Sequence, residues 1–332
     1  MLKDTFLRTH NYLRVSITDK CNLRCRYCMP PEGVKFMPHG EILRNEEYIK
    51  LIGIFVAMGV KKIRFTGGEP LIRRGFIDII SETQKLYPQI ELCVTTNGTI
   101  LDEYINILKQ HNVKKLNISL DTMSREKFHS ITGVDCFYTV LKNIEKSLDA
   151  DFFDIKVNGV LLKSTLQEID SFLDYFSDKN VILRFIERMP VTREDAFNEF
   201  VPSDNLIKLL AEKGELIRKN GDDSGVALRY DLNYKGRVIK IGVIPPMTHR
   251  FCASCSRLRI TSEGNLKTCL HSDKKYNLRD LLRNDADEKE IMNFISAAIK
   301  EKWKSHNMEC TADNGGCKSI SAGVKSMSSI GG

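Results

Sequence analysis

LRVSITDKCNLRCRYCMP, residues 13–30, is a strand-like run, LRVSI, followed at once by a polar loop carrying Cys21, Cys25 and Cys28. The same rhythm recurs along the chain. KKIRFT (61–66), ELCVTT (91–96), KLNISL (115–120), IKVNGVLL (155–162) and VILRFIE (181–187) are further short β-branched runs. Between them lie EEYIKLIGIFVAMG, RGFIDIISETQKL, LDEYINILKQH, CFYTVLKNIEKSL and LQEIDSFLDYFSD, each apolar at helical spacing. Strand–helix alternation of this kind builds right-handed βαβ units around a parallel sheet. Six units are too few for a closed eight-fold barrel, but they suit a partial barrel or a doubly wound sheet.

The loops choose between the two. ITDKCN, TGGEP, TTNG, SLD and ERMP all follow strand C-termini, the rim on which βα barrels place their chemistry. A doubly wound sheet would gather such loops at one switch point instead. The expected fold is α/β: a partial (β/α)6 TIM-type barrel over residues 1–200. A smaller C-terminal domain of antiparallel strands and helices would follow over 201–320, then a flexible tail over 321–332. In that second region SDNLIKLLAEKG reads as a helix, and VALRYDL, GRVIKIGVI and SRLRITSEGNLKTCL read as strands, the last bent at Ser-Glu-Gly-Asn. A closing helix runs through IMNFISAAIKEKWK.

Composition bounds the function. With 332 residues, 42% hydrophobic and 28% charged, the chain has length for a sizeable core. The longest apolar run, LIGIFVAMGV (51–60), is too short to span a bilayer, and no charged-then-apolar leader opens the sequence. A cytoplasmic protein with no membrane partner is expected. Thiols stay reduced there, so ten cysteines read as ligands rather than bridges. A net charge of +7, scattered rather than clustered, suits a phosphorylated small molecule as well as nucleic acid.

C-x3-C-x2-C at 21–28 supplies three thiolates where structural zinc needs four ligands. Either a fourth ligand comes from elsewhere, or a position is left open, as on an iron–sulfur cubane held by three cysteines. Cys252, Cys255 and Cys269 form a second set, similar to a zinc ribbon lacking its last cysteine, and His271 could complete a zinc site. Cys93 and Cys136 read as small buried hydrophobes. In GGEP (67–70), Gly67 and Gly68 let bare backbone approach a ligand, and Glu69 could hold an ammonium group; alone, the motif reads equally as a turn with a solvated glutamate. Arg257 and Arg259, two apart on a strand, face one way and could fork onto phosphate oxygens. Arg14, Arg64 and Lys156 would point into a barrel, where an unpaired charge is expensive. No GxxxxGK(S/T) is present, so a triphosphate would be held by side chains.

CNLRCRYC with a following GGEP resembles the radical S-adenosylmethionine enzymes. The ordered set LRVSITDKCNLRCRYCMP, KKIRFTGGEPLIRR, TTNG, LNISLD, KVNGV, FCASCSRLRITSEGNLKTCL and the terminal IGG resembles, among them, the GTP 3′,8-cyclases of molybdenum cofactor biosynthesis, over nearly the whole chain. The resemblance implies a 4Fe–4S cluster on Cys21, Cys25 and Cys28 whose open iron chelates the methionine end of S-adenosylmethionine, with Tyr27, Gly67, Gly68, Glu69, Ser119 and Met189 around that cofactor. It implies a second 4Fe–4S cluster on Cys252, Cys255 and Cys269, meeting the purine of GTP. Arg14, Arg64, Thr95, Lys156, Arg257, Leu258 and Arg259 would hold the nucleotide; Arg14, Arg257, Arg259 and the terminal Gly331 and Gly332 would support cyclisation. An electron donor and a homodimer also follow by resemblance, and nucleic acid is not expected as a partner.

Two other readings compete. One is a radical enzyme with an auxiliary cluster that modifies a peptide or RNA. The other is a zinc-stabilised nucleic-acid-binding protein, which an aromatic content of 8% with one tryptophan does little to support. ECTADNGGCKSISAGVKS, with Cys310 and Cys317, departs from the family's usual tail.

Overall fold

The computed structural model describes residues 1–29, 34–189, 200–219 and 226–306, with the backbone of 309–310 and 317–318. Six strands, β1 (Tyr12–Ser16), β2 (Lys62–Thr66), β3 (Glu91–Thr96), β4 (Lys115–Ser119), β5 (Asp154–Leu161) and β6 (Ile182–Glu187), lie side by side in chain order, each parallel to the last. Helices α1 (Asn45–Ala57), α2 (Phe76–Leu86), α3 (Ile105–Gln110), α4 (Arg125–Thr132), α5 (Phe137–Asp149), α6 (Lys163–Gln167) and α7 (Ile169–Phe176) fill the crossovers. This is the partial barrel that the alternation implied.

Period-two alternation sorts the strand side chains onto two faces. Leu13, Val15, Ile63 and Phe65 enter the core with Phe55, Phe76 and Ile79 from the helices. The alternate residues Tyr12, Arg14 and Arg64 take the opposite, inner face. Helix α1 stops where Gly59 adopts φ +105°, the left-handed conformation that ends many helices.

Six strands of the C-terminal region lengthen this sheet at both edges. Beyond β6 come β9 (Arg237–Ile244), β8 (Leu228–Tyr234) and β7 (Glu215–Lys219), antiparallel among themselves. Beyond β1 come β10 (Arg257–Ile260), β11 (Asn265–Lys267) and β12 (Tyr276–Asn277), again antiparallel. The two junctions, β6 with β9 and β1 with β10, are parallel. The buried Glu187 fastens one junction, its carboxylate accepting from the backbone of Ser203 (2.8 Å), Met247 (2.9 Å) and Thr248 (3.1 Å).

Helices α8 (Ser203–Lys213), α9 (Leu278–Arg283) and α10 (Glu288–Lys300) complete the described fold, with a short hairpin of β13 (Glu309–Cys310) and β14 (Cys317–Lys318). Sequence periodicity runs the closing helix through Lys304, but α10 stops at Lys300. The next carbonyls are taken by Arg8, which donates to Trp303 (2.6 Å) and Lys304 (3.0 Å). Among the described residues no helix is long and apolar enough to cross a membrane.

Candidate active site inside the barrel

Strand register sets Arg14 directly beside Arg259 of β10 on one side and beside Arg64 of β2 on the other. Arg257 lies beside Tyr12, Lys156 beside Asn117, and Arg184 beside Asn158. One inner wall thus carries a row of cations. Their titration records the crowding. Burial, then neighbouring cations, holds Arg14 down to about 10, Arg184 to about 9 and Lys156 to about 8. Arg259, 7% exposed, is driven well below its usual range by burial and by Arg14 and Arg257. Burial would raise the Tyr12 phenol, but Arg64 and Arg14 pull it down to about 8, and Arg64 Nε donates to its oxygen at 2.8 Å. Arg64 also donates to Val94 O (2.7 Å) and Thr95 Oγ1 (3.5 Å). Like charges placed directly abreast destabilise a sheet, so this wall is built to receive an anion.

The cysteine sets lie at opposite ends of β1, one on each side of the row. Cys255 precedes Arg257 by two residues, and Tyr12 N reaches Ser256 O at 3.4 Å, so the second set sits at the N-terminal end of β1. The Cys21–Cys28 loop lies past the C-terminal end. Between them β1 spans five residues, about 13 Å at the usual strand rise.

The first loop is held by its neighbours. Arg24 N and Arg26 N donate to Thr132 O (2.7 Å) and Ile131 O (3.0 Å) at the end of α4, and Cys28 N closes a turn on Cys25 O (2.8 Å). Tyr27 donates its hydroxyl to Asp121 Oδ2 at 2.6 Å. Burial raises the Cys25 thiol well above its ordinary value, with Asp121, Cys28 and Cys21 adding to the effect. Cys21 Sγ meets donors from Leu23 N (3.4 Å) and Asn97 Nδ2 (3.7 Å). Partly buried thiols that sense one another's charge, with N–H groups aimed at sulfur, fit metal-bound thiolates. Among the described residues no three His, Cys, Asp or Glu side chains converge on a single ion. A cubane asks for less, since each of its irons takes one thiolate.

GGEP packs its backbone against the neighbouring rim loop. Gly68 N donates to Thr18 O (2.7 Å) and Glu69 N to Lys20 O (2.8 Å), stitching the β2 loop to the β1 loop. A Cβ at Gly68 would lie 2.0 Å from Lys20 O; at Gly67, with φ +153°, it would lie 2.5 Å from Thr18 O. The bare backbone is needed against the chain's own loop. Nor is Glu69 solvated: it is buried and accepts from Asn97 N (2.6 Å), Thr96 Oγ1 (2.8 Å) and Leu71 N (3.1 Å), while burial lifts its carboxyl to about 7. It ties the second and third rim loops together.

Of the remaining expected residues, Ser119 ends β4 half-buried beside Asn158, and Met189 is half-buried just past β6. Leu258 is fully buried in the core beside Leu13, on the face opposite Arg257 and Arg259, so only its backbone can address the inner wall. Gly331 and Gly332 lie outside the described residues. Sequence reasoning passed over Arg184 and Lys267. Arg184 sits between Leu183 and Phe185 in a strand, the same signal that singled out Arg14. Lys267, 1% exposed, is the register partner of Arg259, and burial followed by that arginine holds it down to about 8.

At the second set, Arg8 donates to Cys252 O at 2.7 Å. Burial would raise the Cys255 thiol, but Lys302 and Arg257 bring it down to about 7. His271 is buried with its ring 4.5 Å from that of His306.

Comparison with known proteins identifies the family. Residues 15–176 match the Radical SAM superfamily and residues 181–308 match Molybdenum Cofactor Synthesis C. The chain is 36% identical over 318 residues to a GTP 3′,8-cyclase of Listeria monocytogenes, covering 93% of this chain and 92% of that one. It is 40% identical over 304 residues to a GTP 3′,8-cyclase of Clostridium botulinum, covering 91% and 93%. Molybdenum cofactor biosynthesis protein 1 of Dictyostelium discoideum is 40% identical over 313 residues, which cover 92% of this chain and 49% of that longer protein. In fold, the chain resembles Streptococcus suis SuiB bound to its precursor peptide SuiA, with a TM-score of 0.63 at 15% identity, over 92% of this chain and 72% of that one. The chain belongs to the GTP 3′,8-cyclase family of radical S-adenosylmethionine enzymes.

Proposed function

We propose that this chain converts GTP to its 3′,8-cyclised dihydro triphosphate, the opening step of molybdenum cofactor biosynthesis, with the nucleotide lying along the inner wall between the two cysteine sets. The observation that carries this is the row Arg259–Arg14–Arg64, abreast on three adjacent strands, with one cysteine set beyond each end of the central strand β1. Arg14, Arg64, Arg257, Arg259, Lys156 and the newly found Arg184 give the triphosphate its counter-charge. Guanidiniums fork onto phosphate oxygens, and a site of limited water access strengthens each contact.

Cys21, Cys25 and Cys28 would hold one 4Fe–4S cluster and Cys252, Cys255 and Cys269 the other, with S-adenosylmethionine at the first, near Tyr27, Ser119 and Met189. When bound, these groups supply the carbon radical that removes the hydrogen at C3′. The protein's part is to hold C3′ within reach and C8 facing it, and to keep water out. Gly67, Gly68 and Glu69 serve by fixing the rim loops. Gly331 and Gly332 would support cyclisation, as the family resemblance implies. Two electrons must enter from an external donor, one to open S-adenosylmethionine and one, with a proton, to reduce the cyclised radical, and a homodimer is the expected assembly.

The test is anaerobic incubation of the reconstituted, reduced chain with S-adenosylmethionine and GTP, followed by mass spectrometry. The cyclised triphosphate and 5′-deoxyadenosine should appear together. 5′-Deoxyadenosine with no GTP-derived product would reject the assignment.

A further inference from the structure

After α10 the chain passes beneath the second cysteine set, and Lys302 is buried there at 4% exposure. Its Nζ donates to Arg257 O at 2.8 Å and lies 3.8 Å from Cys255 Sγ. The charged groups acting on it are the thiols of Cys255 and Cys269 and the cations Arg8 and Arg257. A buried ammonium among cations is costly unless an opposite charge stands close. Here the opposite charge within reach is sulfur. The segment is also fixed: Arg8 bonds Cys252 O (2.7 Å), Trp303 O (2.6 Å) and Lys304 O (3.0 Å), and His306 Nε2 meets Pro246 O at 2.9 Å. Lys302 therefore cannot swing to solvent without dismantling that strap.

We propose that Lys302 is a positioning residue of the second cluster, donating an N–H···S bond to Cys255 and thereby raising that cluster's reduction potential, while its bond to Arg257 O fixes the start of the arginine-bearing strand β10. Hydrogen bonds to ligand sulfur and local net charge are the protein's levers on cluster potential. A cation on the thiolate withdraws electron density from the iron and favours the reduced state. The same withdrawal makes an open iron a better acceptor for a purine donor atom. This rests on the reading that Cys252, Cys255 and Cys269 hold a 4Fe–4S cluster.

The experiment uses the full chain, reconstituted anaerobically, with iron analysis and an EPR-monitored redox titration of wild type, Lys302→Met and Lys302→Arg. Wild type should hold about eight irons, two cubanes of four. In Lys302→Met the reduced-to-oxidised ratio of the second cluster, read at a fixed solution potential, should fall about tenfold, a negative shift of about 59 mV for one electron. Lys302→Arg should recover most of that shift, and the first cluster, as internal reference, should not move. An iron-complete Lys302→Met protein with an unmoved second-cluster potential overturns the proposal. So does loss of the second cluster's iron from both variants, which would give Lys302 a folding role alone. Wild type holding about four irons would instead defeat the underlying two-cluster reading.

Discussion

Arg14 and Arg259 stand directly abreast on the parallel strands β1 and β10, although they are far apart in sequence. Arg64 flanks Arg14 on the other side. Three guanidiniums so placed suit a polyanion. Replacing Arg259 with Met should raise the nucleotide-free protein's stability by a few tenths to about 1 kcal/mol, by relieving like-charge crowding. The same change should weaken GTP binding roughly tenfold to a hundredfold, the loss of one charged hydrogen-bonding partner. Thermal unfolding with and without GTP reads both effects; a variant that loses stability without GTP would contradict the first.

Gly68→Ala places a Cβ 2.0 Å from Lys20 O, between the two rim loops. The expected result is overpacking that costs about 1–3 kcal/mol, with about half the iron lost as the Cys21–Cys28 loop shifts. Gly40→Ala is the matched control, since a Cβ there meets nothing within 4 Å. Iron content per chain and thermal unfolding would be compared across the pair.

Lys156 links nucleotide binding to pH. In the free chamber burial, with Arg184, Lys62, Arg64 and Lys115, holds its ammonium down to about 8. A bound triphosphate favours the charged form, so binding takes up a proton above that pH. GTP affinity should fall with rising pH above about 8, by up to ~tenfold per pH unit. Lys156→Met should flatten that limb. The sign for stability is opposite: a lysine lowered in the folded state makes the nucleotide-free protein gain stability as pH rises from about 8 toward its ordinary value of 10.5. Titration calorimetry across this range, paired with unfolding curves, tests both.

Glu91 bridges Lys62 and Lys115 across three strands. Burial would raise its carboxyl, but the two lysines bring it down to about 2 from 4.5. A carboxyl lowered in the folded state contributes stability above about 4.5, and that contribution is lost as pH falls toward about 2. The side chain is 37% exposed, so screening limits the effect to about 1 kcal/mol. Glu91→Gln should be less stable than wild type at pH 7, and the two should converge in acid-unfolding curves as pH falls below about 2.

Much of this protein was written locally. The β-branched runs of β1 to β6 are visible because each strand buries a continuous apolar face, and C-x3-C-x2-C is visible because a ligand loop keeps its donors close in sequence. The edge strands escaped notice: β7 is mostly exposed and β12 has two residues, so neither carries a hydrophobic period. Glu69 reads as a ligand or a solvated turn until Asn97, Thr96 and Leu71 surround it. Lys302 carries no local signal, because what singles it out is a sulfur 47 residues away.

The sequence by itself determined the parallel αβ frame, the two sets of cysteines and the basic character of the inner strands, since these follow from period, spacing and residue type. Only the tertiary structure decided that β10 joins β1 in parallel. That pairing sets Arg259 beside Arg14, places the cysteine sets at opposite ends of one strand and brings Lys302 under Cys255. Register between distant strands depends on how the whole core packs, and no local pattern encodes it.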